Sequence, residues 1–406
     1  MIIGPCVVVT GGPEPAVLED AGVRVVGAHI AQVGPAGSLA AAHPDDTLWP
    51  ARGRVLMPGL VNTHAHLARS LARGLALRTP ADWRRFDRTL SPDDVHWATL
   101  AALMEGVRHG VTTVCDFNRA GAGLDRALPE VIEAAGKMGV RVAACFGANE
   151  EDPAAERRAA LAEGADFAHA LARKRSGRLR GMIGVRATTL PGMERLVHES
   201  LEAAGERQAV HVELALDITP AERWGGALWP PGASAALWAH ADRAPRGLVS
   251  ALRERGDALT STGTASMAAL ARETELGWGS DAGVNAPPVP DPSQGWPHDR
   301  RMLELLYQRV MVTGARWAAA HFGPRLGAIV PGAPADLQLV DYRPATEFSS
   351  DTLLDHLWAG LLRAPVSGVM VSGEILMDNG HLVSVDEREV AARARECARR
   401  VWGRMG

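Results

Sequence analysis

The chain has 406 residues, too many for one small domain and enough for a large domain with a satellite. With 47% hydrophobic and 22% charged residues it can bury a sizeable core, which excludes a disordered chain, and its net charge of −4 argues against a general nucleic-acid binder. Of 43 basic residues only Lys137 and Lys174 are lysines, so any chemistry that needs an amine has two candidates.

The first segment reads as short strands and turns: Val7–Thr10 before Gly11-Gly12-Pro13, then Val23–Val26 and His29–Val33 separated by Gly27. From Val55 onward, apolar β-branched runs alternate with helical stretches. The predicted strands are Val55–Asn62, Val111–Phe117, Val140–Phe146, Gly181–Ala187, Ala209–Leu216, Ala235–His240, Ala258–Ser261 and Leu276–Ser280. The predicted helices include Asp94–Arg108, Leu128–Met138, Pro153–Arg173 and Met193–Arg207. Eight such units are what a (β/α)₈ TIM barrel requires. Asp336–Asp341, Val369–Val371 and His381–Val385 are again strand-like, and Asp386–Arg404 reads as a closing helix. The expected organisation is a barrel over residues 57–331, a small β-sandwich domain from residues 1–56 and 332–385, and a C-terminal helix over 386–406.

The four cysteines (Cys6, Cys115, Cys145 and Cys397) are scattered, with no CxxC pair, so neither a disulfide framework nor a thiolate metal cluster is indicated. The N-terminus lacks a basic region before its short apolar run, and no stretch of 18 apolar residues occurs. A cytoplasmic protein without a membrane partner is the expectation.

In a barrel, chemistry collects at the C-terminal ends of the strands. Leu60-Val61-Asn62-Thr63-His64-Ala65-His66 ends the first strand. Residues i and i+2 of a strand share a face, so both imidazoles can turn toward one cation, although a bare HxH also recurs by chance. His211 on the fifth strand can be a ligand or a core histidine. Asp281, in Gly279-Ser280-Asp281-Ala282-Gly283 after the eighth, can be a ligand or a turn residue. Taken together, His64, His66, His211 and Asp281 suit one divalent metal ion, Zn²⁺ first and Fe²⁺ or Mn²⁺ next.

The segment MPGLVNTHAHLARSLARGLA (Met57–Ala76) resembles the PGxxxxHxHx motif of the amidohydrolase superfamily. It is most similar to the aminohydrolase/chlorohydrolase group, which includes S-adenosylhomocysteine, guanine and cytosine deaminases and triazine hydrolases. His109–Asp116 (HGVTTVCD) and Arg325–Asp341 (RLGAIVPGAPADLQLVD) also resemble segments of that group, and the resemblance spans nearly the whole chain. It implies metal ligation by His64, His66, His211 and Asp281, a water-holding role for His240, and proton acceptance by Asp281. It further implies hydrolytic deamination of a small heterocyclic or amidine-like substrate at a non-peptide C–N bond, and assembly as a homodimer or larger. Hydrolysis of a C–halogen, amide or cyclic-imide bond is the enzymatic alternative. A metal-binding relative without turnover is the other.

Some relatives bridge two metals with a carboxylated lysine at the end of the fourth strand. Here Arg186 ends that strand and neither lysine lies on it, which favours one metal. Three departures bear on the substrate. The group's H-x-x-E pattern places Leu214 where a proton-shuttling Glu is usual, while Glu213, on the face of His211, is the nearest substitute. Arg186 stands where a substrate-binding His is usual, and can fork an anionic substrate or pair with an internal acid. Thr260-Ser261-Thr262-Gly263 replaces an Asn-Pro segment. Trp83, Trp224, Trp229 and Trp296 are candidates for an aromatic pocket wall or for ordinary packing, and Trp83 is the one expected to contact the substrate.

Overall fold

Apolar runs of the middle of the chain pair with their sequence neighbours. The computed structural model describes residues 1–121, 124–204, 209–215, 236–262, 276–288 and 299–406. Within these, eight parallel strands follow in chain order: Leu60–Ala65, Val111–Asn118, Arg141–Asn149, Ile183–Ala187, Val210–Leu214, Leu237–Ala239, Ala258–Ser261 and Gly277–Trp278. The ring closes from last to first. The Asp281 amide donates to the His64 carbonyl at 3.1 Å, and the Asp281 carbonyl accepts from the His66 amide at 2.9 Å. Gly279 permits this approach, because a Cβ there would lie 2.8 Å from the His64 carbonyl oxygen. The expected TIM barrel is present.

The predicted first strand, Val55–Asn62, divides in the structure. The Gly59 amide donates to Asp336 of the β domain, whereas the Leu60 amide donates to Gly110 of the barrel. Val55–Pro58 therefore belongs to one sheet and Leu60–Ala65 to the other. Gly59 makes the switch possible, since a Cβ would meet the Thr112 side chain at 2.2 Å.

Both chain ends build the small β domain. Eight of its strands form one hydrogen-bonded path: His381–Leu382, Glu374–Asp378, Val366–Val371, Leu337–Val340, Val55–Pro58, Ile2–Val9, Val17–Val26 and His29–Pro35, and Leu48–Trp49 pairs beside Ile2–Val9. The strand Glu374–Asp378 has no counterpart in the sequence reading. It is specified by antiparallel pairing with Val366–Val371 rather than by its own pattern. A buried fork ties this domain to the barrel: Arg141 Nε and Nη2 donate to the two oxygens of Asp336 at 2.6 and 2.9 Å.

Two helices begin with reciprocal capping boxes after a Pro-favoured first turn: Pro80–Thr89 behind Thr79 and Asp82, and Pro92–Arg108 behind Ser91 and Asp94. The first of these was not among the predicted helices, and it carries Trp83 and Asp87 to the barrel mouth. The C-terminal helix, Glu387–Met405, packs on the second, where Arg400 and Arg404 pair with Asp94. Among the described residues no helix is long and apolar enough to cross a membrane.

Candidate metal centre

Strand alternation sorts the fifth strand into two faces. Val210, Val212 and Leu214 pack outward with Val185, Ala187 and the helices, while His211 and Glu213 turn to the barrel interior. Leu214 borders the pocket, but its side chain is fully buried in that apolar layer and not among the imidazoles. Glu213 is the carboxylate that reaches inward.

His64, His66 and His211 meet at the barrel mouth. His64 Nδ1 lies 3.0 Å from His211 Nε2. The His66 Nδ1–H donates to the Phe117 carbonyl at 2.6 Å, which leaves Nε2 with a free lone pair. Asp281 Oδ1 stands 3.3 Å from His66 Nε2 and 4.0 Å from His64 Nε2. Asn62 fixes this seam: its Nδ2 donates to Ser280 Oγ at 2.8 Å and Asn285 Oδ1 at 2.7 Å, and its Oδ1 accepts from the His64 amide at 3.2 Å. His240 completes the ring of imidazoles, 5.3 Å between ring centres from His64, with Nδ1 2.7 Å from Thr262 Oγ1.

His240 and Asp281 both sit in the left-handed region, at φ 58° and 54°. Such backbone is costly for residues other than glycine and is concentrated at functional sites. Burial holds the His64 and His211 imidazoles neutral, pushing His64 well below its usual range and His211 down to about 3. Burial alone raises the Asp281 carboxyl, but contact with His66 and the field of His240 and His64 outweigh it, so Asp281 stays ionised. Asp116 is fully buried beneath His66, accepts the Leu67 amide at 2.9 Å, and is pushed up to about 6 by burial.

These residues fit a divalent cation. His64 Nε2, His66 Nε2 and His211 Nδ1 are buried ring nitrogens without a hydrogen-bond partner. Ligand atoms of His64, His66 and Asp281 lie within 4.8 Å of one another. His211 joins this group through its contact with His64. Neutral imidazoles and one carboxylate are the donor set of a zinc-type site.

Known proteins share this architecture. An amidohydrolase family model matches residues 55–226. A 5-methylthioadenosine/S-adenosylhomocysteine deaminase of Pelotomaculum thermopropionicum is 25% identical, covering 100% of this chain and 99% of that protein. A 5'-deoxyadenosine deaminase of Methanosarcina barkeri is 26% identical, with coverage of 100% and 99%. Among solved structures, a zinc complex of the atrazine chlorohydrolase of Arthrobacter aurescens superposes with a TM-score of 0.72 at 20% identity, covering 98% of this chain and 99% of that one. A zinc-bound adenosine deaminase of Xanthomonas campestris superposes with a TM-score of 0.72 at 20% identity, with coverage of 99% and 98%. The two structures share the fold.

A cavity of about 430 Å³ opens over the imidazole cluster, lined by Glu213, His240 and Asp281. Trp83 lines it, its ring 5.0 Å from the Arg69 guanidinium. Arg186 also lines it, donating from Nε to Glu213 Oε1 at 3.2 Å. Of its two expected uses, Arg186 takes the internal acid. Glu213 Oε2 stands 3.8 Å from His66 Nε2 without a hydrogen bond. Burial alone raises the Glu213 carboxyl, but His66, Arg186, Arg69 and His240 together bring it down to about 2.

Sequence reasoning missed Arg69, Asp87 and Arg119 in the pocket wall. Arg69 lies inside the Met57–Ala76 segment and Arg119 two residues after Phe117, but neither has neighbours along the chain that mark it as part of a pocket wall. Trp224, Trp229 and Trp296 lie outside the described residues.

Proposed function

We propose that the protein is a metal-dependent aminohydrolase that replaces an exocyclic amino group of a small heterocycle with oxygen, releasing ammonia. The observation that carries this reading is the group of His64, His66, His211 and Asp281, with its buried, partnerless ring nitrogens, beside the inward carboxylate of Glu213. The full-length likeness to deaminases of adenosine-type compounds makes a purine nucleoside the first substrate class to test. The reading places the enzyme in the cytoplasm, acting on a small molecule without nucleic acid or membrane.

One divalent ion, zinc first, would be held by those four side chains, and when bound it supplies water acidified toward neutral pH. The chain's own residues divide the remaining work. Asp281, ionised and facing the imidazoles, accepts a proton from the attacking water. In this reading His240 carries its proton on Nε2 and donates it to the attacking oxygen, and Nδ1 accepts from the Thr262 hydroxyl 2.7 Å away. Glu213, held ionised by Arg186 and His66, takes a proton and passes it to the ring nitrogen or the leaving amine. Water adds to the carbon, the C–N bond breaks, and the amine leaves as ammonia.

The test is ammonia release by zinc-loaded protein from adenosine, 5'-deoxyadenosine and 5-methylthioadenosine, alongside halide release from chlorotriazines. Ammonia from a heterocyclic amine is the expected result. Halide alone would move the protein to the chlorohydrolase reading, and no turnover with full metal occupancy would make it a binding relative.

A further inference from the structure

We infer that the pocket over the metal cluster takes a substrate bearing a carboxylate or phosphate group, and that Arg119 is the residue that pairs with it. The inference deepens the aminohydrolase reading and rests on it for the position of the reacting centre.

Most charges around the pocket are already matched inside the protein. Arg69 donates from Nε and Nη2 to the two oxygens of Asp87 at 3.0 and 2.8 Å. Arg186 is paired with Glu213, and Arg84 with Glu151. Asp281 faces the imidazoles. The three acids of the lining are therefore committed.

Arg119 is not. It follows the second barrel strand, which ends at Asn118, and its side chain enters the same lining as Glu213 and His240. Among the described residues it has no ion pair, and its one side-chain hydrogen bond is a long one, Nη1 to the Gly147 carbonyl at 3.4 Å. A guanidinium carries five N–H donors in a planar fork, so most of its capacity is unused. Burial lowers its pKa even against the pull of Glu213, Asp87 and Asp152, which marks a cation taken out of water without a direct partner. Arg78 and Arg243, both exposed, extend the positive surface to the pocket rim. A divalent ion at the cluster adds to the same sign. A carboxylate or phosphate seated on Arg119 accepts two charge-assisted hydrogen bonds from the fork and neutralises its charge, and a neutral group does not supply that charge.

Calorimetric binding of three matched probes to the zinc-loaded protein tests this: benzoate, phenylphosphonate and neutral benzamide. The expected result is at least tenfold tighter binding of one anion than of benzamide. In Arg119→Gln that preference disappears while zinc content and melting temperature hold, and Arg119→Lys, which keeps the charge without the fork, retains part of it. Benzoate against phenylphosphonate decides which anion the pocket was built for. An anion preference that survives in Arg119→Gln assigns the binding to the metal or to the rim arginines and overturns the inference. Equal binding of all three probes overturns it too. Because these probes need no turnover, an Arg119-dependent preference without ammonia release would overturn the aminohydrolase reading alone, and ammonia release without a preference would overturn this inference alone.

Discussion

Arg186 and Glu213 are an ion pair inside the pocket, Nε to Oε1 at 3.2 Å, and the second oxygen of the same carboxylate points toward His66. A carboxylate so held is ionised around neutral pH and loses its charge only toward the acid end of a pH profile. It therefore enters a reaction cycle as a proton acceptor, and donates only what it has just received.

Arg186→Gln is expected to move the acid limb of kcat/KM to higher pH. Glu213 is brought down to about 2 by His66, Arg186 and its further cationic neighbours, against burial, which acts the other way. Loss of the guanidinium raises that pKa, so the ionised form begins to disappear at a higher pH on the way down. A rise of about one unit or more is the size expected for one close opposite charge. A pH profile of wild type and variant checks it, and an unmoved acid limb would remove Glu213 from the proton path. Glu213→Gln should lower kcat by about 10²-fold or more while metal content stays intact.

Leu214→Glu recreates the H-x-x-E pattern and is expected to damage the protein rather than improve it. The side chain lies at 0% exposure among Val185, Ala187 and Val212, on the strand face away from the metal cluster. A carboxylate there has no partner, and burying one costs several kcal/mol unless it is neutralised. A melting temperature lowered by many degrees, with no gain in ammonia release, is the predicted outcome. A gain in turnover would show that the strand can shift register.

The same strand shows what could be read from the sequence. Period-two alternation alone placed Glu213 with His211 and left Leu214 behind, because a strand offers a side chain only two directions. The HxH pair and Asp281 were legible for a related reason: barrel chemistry gathers at strand ends, and strand ends can be found from apolar runs. Arg119 and Asp87 were not legible: a single arginine after a strand does not reveal which pocket it enters, and Asp87 sits on the helix behind the Thr79 and Asp82 capping box, which was not among the predicted helices. The break at Gly59 was hidden as well. Met57 and Leu60 look alike as apolar residues, and only the change of partner from Asp336 to Gly110 separates the two sheets.

Metal content should follow the seam between the first and eighth strands. Asp281→Ala and His66→Ala each remove one of the three ligand atoms that lie within 4.8 Å of one another, so both are expected to lose metal and turnover together. Asn62→Ala leaves every ligand in place but removes the bonds to Ser280, Asn285 and the His64 amide. Its expected cost is about 10- to 100-fold in metal affinity, the usual size for a residue that orients ligands. Elemental analysis after dialysis against graded chelator reads all three, and metal retained in Asp281→Ala would overturn the ligand assignment.

Thr262→Val tests the orientation of His240. The Thr262 Oγ1 to Nδ1 contact of 2.7 Å is the only side-chain hydrogen bond of His240 among the described residues. Valine keeps the shape of threonine and removes the hydroxyl, so the imidazole loses the bond that fixes its tautomer. A fall in kcat of about 10- to 100-fold with little change in KM or metal content is expected. Thr262→Ser keeps the hydroxyl and should recover most of the rate. Equal losses in the valine and serine variants would point to packing rather than the hydrogen bond.

Arg141 tests how the two sheets hold together. Its guanidinium is 3% exposed and forks onto Asp336, with Nη2 also 2.8 Å from Ser372 Oγ. Arg141→Ala leaves the Asp336 carboxylate buried without its cation, a loss of about 3–5 kcal/mol for a broken buried pair. The double variant Arg141→Met with Asp336→Leu removes both charges and keeps apolar volume, so it should recover much of the lost stability. Chemical denaturation of the zinc-loaded protein measures both. If the single and double variants are equally destabilised, the ion pair itself, rather than an orphaned carboxylate, is what joins the β domain to the barrel.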